Sequence, residues 1–538
     1  MNLRPLHLWQ WLKEFRSHII WILAFGLLAV FFMTFSGDLA AQSPAANDSR
    51  DIPNVRPDFN GDGYADLAIG ATGERFGDAN AAGAMTILYG DPDQTPKKSS
   101  FVHQGMPYVP DADEYRDHFG ARSAFGDFNG DGFDDLVVSA PNEDIGTIND
   151  AGRIWIFAGS PDGVGAAEIG KTFHQGSSNS FGGNEIGDRW GSMLSVGDFN
   201  GDGYEDLAVA APEKDKKGKN DVGKISILYG SSSGLSTNGS QDIDQETKGI
   251  PDAGEENDKW GWAITSGDFN KDGFSDLAIG APGEKYGQFP EAGAVTLLYG
   301  SPSGITTDTS FRIHQNIPGV PDRNEAYDHW GAVLTSGDFN NDGFTDLAIG
   351  APNESSGKKE QTGSVTIMFG SEQGISVERS SRLHQGSFNV PGRNEQGDRW
   401  GSVLTSGDFN GDTYMDLAVG APAESLESVQ RAGTVTILFG NATGISGRGS
   451  IEIDQNTDGF EIGAEPADHW GDALAALDMN GDGKAELVVA ASGESLGTQF
   501  DTGLLTLFWG TDMGIIPNFF LTLDQDKMNV PNENKTLD

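Results

Sequence analysis

One acidic segment of nine residues occurs seven times along this chain, at a nearly constant interval. The copy at 58–66 reads Asp-Phe-Asn-Gly-Asp-Gly-Tyr-Ala-Asp, and successive copies begin 69 to 71 residues apart. The copies occupy residues 58–66, 127–135, 198–206, 268–276, 338–346, 408–416 and 478–486. Because a fixed period marks one structural unit repeated along a chain, we predict a single repeat architecture from residue 58 to the end.

Each unit reads as four short β-strands. In the sixth unit the strand-like segments are 401–409, 416–421, 433–440 and 450–455, and the acidic segment lies between the first two. They are rich in β-branched and aromatic residues and are separated by Gly, Pro, Asn and Asp. No sequence after residue 42 keeps the 3.6-residue apolar period of a helix. The predicted fold class is all-β: a seven-bladed β-propeller of four-stranded blades, with the acidic loop between strands one and two of each blade.

The two ends of the array predict where the ring closes. The first unit lacks the Trp-Gly pair that opens later units, although 52–59 offers a short first strand. The C-terminal segment from residue 524 resembles the linker that follows residue 384. We therefore expect blade seven to meet blade one, and whether a strand is exchanged there stays open.

The acidic segment has the composition of a calcium loop. Positions 1, 3, 5 and 9 carry oxygen side chains, position 6 is a Gly that permits a sharp turn, and position 7 offers a carbonyl oxygen. Such a set of hard oxygen donors favours Ca²⁺ over Mg²⁺, so we predict up to seven calcium ions. The predicted ligand residues are Asp58, Asn60, Asp62, Tyr64, Asp66, Asp127, Asn129, Asp131, Phe133, Asp135, Asp198, Asn200, Asp202, Tyr204, Asp206, Asp268, Asn270, Asp272, Phe274, Asp276, Asp338, Asn340, Asp342, Phe344, Asp346, Asp408, Asn410, Asp412, Tyr414, Asp416, Asp478, Asn480, Asp482, Lys484 and Glu486.

Two other interpretations of these loops agree less well with the sequence. An EF-hand needs a bidentate Glu at position 12, and this position is Ile or Val in all seven copies. A solvated Asn/Asp turn without an ion is the second alternative, and seven copies with intact ligand positions argue against it. We expect weaker sites in copy six, where Thr413 replaces the Gly of position 6, and in copy seven, where Glu486 replaces the last Asp.

Composition excludes several partners. The 80 acidic and 35 basic residues give a formal net charge of −45, which repels phosphate backbones and argues against nucleic acid. The chain has no cysteine, so disulfides and thiolate metal sites are excluded, and bound metal is a candidate for the stabilising role that disulfides have in exported proteins.

The N-terminal region predicts export. Arg4, Lys13 and Arg16 precede an apolar run at 19–35, and small residues follow at 39–42. We predict a signal peptide or an N-terminal membrane anchor at 1–41, a flexible lead at 42–57 and the propeller at 58–538. The expected location is secreted or cell-surface, with the periplasm left open, and the membrane is contacted only through an uncleaved N-terminal segment.

The repeat resembles the FG-GAP repeat of the integrin α-chain β-propeller. Phe119-Gly120 stands in the second unit, Trp-Gly stands at 190–191, 260–261, 330–331, 400–401 and 470–471, and Gly-Ala-Pro stands at 280–282, 350–352 and 420–422. The resemblance covers residues 58 to about 525. It implies calcium in the nine-residue loops and ligand binding on the opposite face.

Connectivity separates two faces of the predicted ring. The acidic loop and the strand three–four turn share one face, and the long strand two–three loops and blade linkers share the other. Long loops on a rigid scaffold often carry recognition, so we predict that the second face binds the ligand. Candidate contacts are Tyr108, Tyr115, Phe181, Tyr286, Phe388 and Phe460, with a packing role as the alternative for each of them. The Glu after the Ala-Pro pair (Glu284, Glu354, Glu424) is predicted to cap a turn or join a polar rim, a ligand role being the alternative.

These features predict an adhesion or ligand-binding module for an unknown protein or glycan. No nucleophile elbow, zinc-binding helix motif or phosphate-binding Gly loop is present, so the chain is predicted not to be an enzyme. One alternative is a hydrolase or polysaccharide lyase with its site in the central mouth, and another is a calcium-stiffened structural surface protein. A central pocket with several titratable groups of shifted pKa would favour catalysis.

Overall fold

The computed structural model describes residues 57–94, 98–165, 171–177, 181–460, 463–495 and 503–523. Within these ranges it has 27 strands and one short 3₁₀ helix at Gln175–Ser177. No helix in the described part of the chain is long and apolar enough to span a bilayer. The predicted export segment at 1–41 and residues 42–56 of the predicted lead lie outside the described residues.

The strands form seven antiparallel sheets, each built from consecutive strands. In chain order the sheets are β1 (Leu67–Ala71), β2 (Ala84–Leu88) and β3 (Ser99–Val102); β4 (Arg122–Gly126), β5 (Asp135–Ala140), β6 (Arg153–Phe157) and β7 (Thr172–Phe173); β8 (Met193–Gly197), β9 (Asp206–Ala210), β10 (Ile225–Tyr229) and β11 (Ser236–Ile243); β12 (Ala263–Gly267), β13 (Asp276–Ala281), β14 (Ala294–Tyr299) and β15 (Thr306–Ile313); β16 (Val333–Gly337), β17 (Asp346–Ala351), β18 (Ser364–Phe369) and β19 (Ser376–Leu383); β20 (Val403–Gly407), β21 (Asp416–Ala421), β22 (Thr434–Leu438) and β23 (Ile451–Ile453); β24 (Ala473–Leu477), β25 (Glu486–Ala491), β26 (Leu504–Phe508) and β27 (Phe520–Leu523).

The predicted strands of the sixth unit are all present. The second strand, β21, has the predicted bounds, and the other three are shorter than their predicted segments by a few residues at the ends. The second and third strands of the four-stranded blades are almost wholly buried, as in β21, because both faces of a blade pack against neighbouring blades. Continuous apolar runs therefore suit these strands better than strict alternation.

The seven sheets form a closed ring with the first strand of each blade nearest the axis. Strands β4, β8, β12, β16, β20 and β24 pack side by side in succession. At the closure, Leu67 and Ile69 of blade one share a buried cluster with Leu505 and Leu507 of blade seven. The predicted seven-bladed propeller is confirmed. Blade one shows three strands in the described residues, and most of the proposed first strand at 52–59 lies outside them.

Among the described residues, a fully buried aromatic side chain lies between adjacent blades at six of the seven junctions: Phe119, Trp190, Trp260, Trp330, Trp400 and Trp470. Trp190 is fully buried between β6 of blade two and β9 of blade three. Its indole N–H donates to Ser226 Oγ at 3.2 Å, and Trp260, Trp330 and Trp400 donate to Thr at the equivalent position, whereas the Trp470 N–H has no such bond. Burying the ring while satisfying its N–H explains why the Trp-Gly pair recurs.

Candidate cation loops and the mouth of the ring

The acidic loops fold around the oxygens of their own side chains. In the third copy, Asp198 Oδ1 accepts from the Gly201 and Asp202 amides at 2.6 and 3.2 Å, and Oδ2 accepts from the Gly203 amide at 2.9 Å. Asn200 Oδ1 accepts from the Asp202 amide at 2.8 Å. Position 6 has a positive φ, 87° at Gly203, which is the geometry that favours glycine. The side chains of positions 1, 3 and 5 therefore turn toward one small volume.

The carboxylate at position 9 ties each loop to its blade. Asp206 is fully buried and accepts from the Phe199 amide at 2.9 Å and from the Gly230 amide at 2.8 Å. Burial raises the pKa of Asp206 to about 8, and the carboxylates of Asp198 and Asp202 add to the rise. The same pair of hydrogen bonds is made by Asp66, Asp276, Asp346 and Asp416.

The residues of these loops fit a hard divalent cation. Each loop offers carboxylates, an amide oxygen and a carbonyl, and no nitrogen or sulfur ligand is required. A cation would offset the burial and, to a smaller extent, the mutual repulsion that raise the carboxylate pKa values, since it favours their charged forms. This donor chemistry is the feature that supports calcium.

The seventh loop brings its carboxylates closest together. Asp478, Asp482 and Glu486 each place an oxygen within 4.8 Å of the other two, and no other acidic loop among the described residues does so. The longer Glu486 still accepts from the Met479 amide at 2.7 Å. In the sixth loop, Thr413 adopts a φ of 74° where the other loops have Gly. The predicted weakness of both sites stays a prediction.

The opposite face opens into a central mouth. The first strand of each blade begins on this face, and the loops between the second and third strands border it. The mouth holds a cavity of about 180 Å³. Its lining residues come from five blades: His118, Ala121, Arg122, Pro141, Asn142, Arg189, Ser192, Met193, Pro212, Glu213, Trp262, Ala263, Ala332, Val333, Leu334, Ser402, Val403 and Leu404.

The cavity has a polar side and an apolar side. On the polar side, Arg189 Nη1 lies 2.9 Å from Glu213 Oε1. Burial raises the pKa of Glu213, which Arg189 opposes, and burial lowers the pKa of His118. Trp262, Leu334 and other apolar side chains form the second side. Two titratable groups with shifted pKa values thus line the pocket, which is the arrangement expected to favour catalysis.

Sequence reasoning missed these mouth residues. The signal lies in the positions where the seven copies disagree: the residue after the Gly of the Trp-Gly pair is Ser192, Trp262 or Asp472 in different blades. A comparison of the seven copies identifies the residues that repeat, so it does not identify side chains that differ between blades.

The candidate aromatic contacts divide into two groups. Phe388 and Tyr115 are 89% and 60% exposed, and Tyr108 and Tyr286 are partly exposed. The prediction of Phe181 as a ligand contact is wrong, whereas Phe460 is partly buried and its role as a contact stays a prediction. Phe181 is fully buried and packs on Trp190, and Phe460 stacks on Phe520 with ring centroids 4.3 Å apart.

The Glu residues after Ala-Pro do not form a rim. Glu284, Glu354 and Glu424 are buried, and each accepts a hydrogen bond from the side chain of the Gln at the start of the preceding linker. Their carboxylates join the linker to the strand two–three loop.

Each blade of this chain matches the repeat of a known protein family. The FG-GAP repeat family matches residues 55–88, 119–157, 190–228, 260–298, 330–368, 400–438 and 470–508, once in each blade. Integrin alpha-PS5 of Drosophila melanogaster is 34% identical over 204 residues, covering 35% of this chain and 19% of the integrin. Phosphatidylinositol-glycan-specific phospholipase D of Bos taurus is 30% identical over 194 residues, covering 36% of this chain and 22% of the enzyme. The chain spans about a fifth of the length of these relatives.

The prediction that the chain is not an enzyme is contradicted by this comparison, because several relatives are phospholipases. The absent motifs describe sites built from one contiguous segment, and a site assembled from different blades contains none of them. A rhamnogalacturonan lyase of Bacillus licheniformis aligns with a TM-score of only 0.33 and 11% identity over 84% of this chain and 70% of that one, and this likeness is too weak to bear on function.

Proposed function

Because the chain is an FG-GAP repeat protein with an integrin α-like seven-bladed β-propeller, we propose that it is an exported, calcium-stabilised binding module. The ligand, a protein or a glycan, is bound at the mouth opposite the acidic loops. The observation that carries this proposal is the mouth cavity, whose walls combine an Arg–Glu pair with Trp262 and aliphatic side chains. Concave apolar sites with a few oriented polar groups are typical of binding sites.

The proposed calcium ions act on stability rather than on the ligand. The acidic loops and the mouth lie at opposite ends of the first strands, so an ion in a loop does not reach the cavity. Its effect is to neutralise carboxylates whose backbone hydrogen bonds join neighbouring strands and blades. Export rests on the N-terminal sequence, and millimolar calcium outside the cell suits loops of moderate affinity.

A ligand array with matched variants tests the binding face. The purified chain is screened on immobilised glycans and matrix proteins in calcium. Trp262→Ala is expected to weaken binding of any captured ligand by tenfold or more, because aromatic anchors dominate binding energy. Met513→Ala is the control, since Met513 is 78% exposed in a strand three–four turn on the loop face. Equal loss in both variants, or capture that survives Trp262→Ala, would contradict binding at the mouth.

Catalysis at the same mouth is a second candidate. It is favoured by the titratable groups His118 and Glu213 with shifted pKa values and by the phospholipase relatives. The test is hydrolysis of phosphodiester substrates and cleavage of acidic polysaccharides by the purified chain, compared with Glu213→Gln. Turnover that Glu213→Gln lowers by a hundredfold or more supports an enzyme, and a signal unaffected by the substitution rejects this site.

A further inference from the structure

A second group of carboxylates converges on the face opposite the acidic loops. In blade five, Glu325, Asp328 and Glu354 each place a carboxylate oxygen within 4.8 Å of the other two. Asp328 and Glu354 are each 1% exposed. The Glu325 amide donates to Asp328 Oδ2 at 2.6 Å, which fixes the linker residues beside each other. Carboxylates this close and this buried require a compensating positive charge.

A buried amide oxygen accompanies this blade-five carboxylate cluster. Gln315 is 1% exposed, and its Nε2 donates to Glu354 Oε2 at 2.7 Å. Its Oε1 has no hydrogen-bond donor, as in the equivalent Gln245 and Gln385, but only in blade five do the three neighbouring carboxylates of the described residues converge. Because both atoms belong to one planar amide, the unsatisfied oxygen stays beside the cluster, where a buried acceptor without a donor is costly. A single cation can be coordinated by this oxygen together with the carboxylates.

Blade three shows a cation in the equivalent place. There the residue equivalent to Glu354 is Lys214, which is 6% exposed. Its Nζ lies 2.9 Å from Glu185 Oε2 and 3.0 Å from Asp188 Oδ2, the counterparts of Glu325 and Asp328. The Gln175 side-chain amide lies 2.6 Å from Asp188 Oδ2, so this amide also faces the aspartate. The chain itself therefore places a positive charge where blade five places a third carboxylate.

The basic side chain near the cluster does not balance its charge. Arg382 Nη2 lies 3.5 Å from Glu354 Oε1, and the same guanidinium is also bound to Asp322. One positive charge thus faces four carboxylates, of which three belong to the cluster. A divalent ion would remove most of the remaining imbalance.

We propose that Glu325, Asp328 and Glu354, with the Gln315 amide oxygen, bind a divalent cation of the calcium class at the start of blade five. The ion joins the linker from blade four to the strand two–three loop of blade five, as the Lys214 ammonium joins the corresponding segments in blade three. This site is separate from the seven acidic loops and does not depend on their occupancy.

The test counts calcium ions bound to the purified full-length chain, by equilibrium dialysis and mass spectrometry of the metal. Glu354→Lys introduces the residue that blade three carries, and Glu354→Gln is the neutral variant of similar shape. Both are expected to bind one ion fewer than the parent chain. Glu354→Lys is expected to keep a melting temperature in excess chelator at least equal to that of the parent, since its ammonium replaces the ion.

Two further variants separate this proposal from others. Glu325→Gln changes an exposed residue that the fold tolerates, and it is expected to weaken the same site about tenfold. Asp342→Asn alters the acidic loop of blade five. If only this variant binds one ion fewer, the ion lost belongs to the acidic loop and not to the proposed site. An unchanged ion count in folded Glu354→Gln and Glu325→Gln chains would overturn the site and leave protons as the compensating charge.

Discussion

The loop face and the mouth face of this ring differ in how much they vary from blade to blade. On the loop face, the amide at position 8 of each loop donates to the carbonyl of position 1 in the preceding loop, at 2.8 to 3.4 Å in all seven pairs. This includes the closing pair, in which the Ala65 amide donates to the Asp478 carbonyl at 3.0 Å. On the mouth face, equivalent positions hold Ser192, Trp262 or Asp472. Uniform geometry serves closure of the ring, and variation leaves room for recognition or chemistry.

Removal of calcium is expected to give the largest effect, and it acts on the loop face. A site with a dissociation constant of ~10⁻⁴ M contributes about 1.4 kcal/mol at millimolar calcium, so seven independent sites would contribute about 10 kcal/mol. We expect excess chelator to lower the melting temperature strongly, as followed by circular dichroism. Magnesium added back at the same concentration is the control. A melting temperature unchanged by chelator would contradict a stabilising role for calcium in the acidic loops.

A single buried loop carboxylate gives the next largest effect. Asp276 is fully buried and accepts from the Phe269 and Gly300 amides, both at 3.0 Å. Asp276→Ala leaves two buried amides without acceptors and is expected to cost about 3–5 kcal/mol in urea unfolding. Asp272→Ala, at the exposed position 5 of the same loop, is expected to cost about 1 kcal/mol in chelator and more in calcium. Equal costs for the two variants would show that position 9 has no special structural role.

The sequence predicted the repeating part of the molecule well and the varying part poorly. The period, the strands and the closure of the ring follow from residues such as Trp190 and Asp206, whose roles recur in blade after blade. The burial of Phe181 was not predictable, because aromatic residues in linkers pack inward or outward according to contacts made by distant residues. The mouth cavity was also missed, since residues from five blades meet there only once the ring has closed.

On the mouth face, one buried acid is expected to make stability depend on pH. Asp472 is largely buried at the start of strand one in blade seven, and burial raises its pKa to about 7. Because the folded-state pKa exceeds the unfolded value near 4, the stabilisation is complete below pH 4 and is lost as the pH rises through 7. Asp472→Asn does not ionise, so its free energy of unfolding relative to that of the parent is expected to rise by about 2.5 kcal/mol between pH 5 and pH 8.

Urea unfolding at the two pH values in constant calcium measures this difference. Asp512→Asn is the matched control, since the Asp512 side chain is 93% exposed on the loop face. If the free energy of unfolding depends on pH in the same way for the parent and Asp472→Asn, burial does not raise the pKa of Asp472.

The smallest effect is expected from restoring glycine at position 6 of the sixth loop, where this chain has Thr413. Thr413 adopts a φ of 74°, which strains a β-branched residue, and its Oγ1 accepts from Asn341 Nδ2 at 2.7 Å. Thr413→Gly is expected to raise stability by about 0.5–1 kcal/mol, because relief of strain exceeds the flexibility gained by the unfolded chain. The reverse change, Gly203→Thr, places the same side chain at a φ of 87° with open space around it, and it should destabilise by a similar amount. If both substitutions lower stability, the hydrogen bond from Asn341 outweighs the backbone strain, and the sixth loop is adapted to its threonine rather than weakened by it.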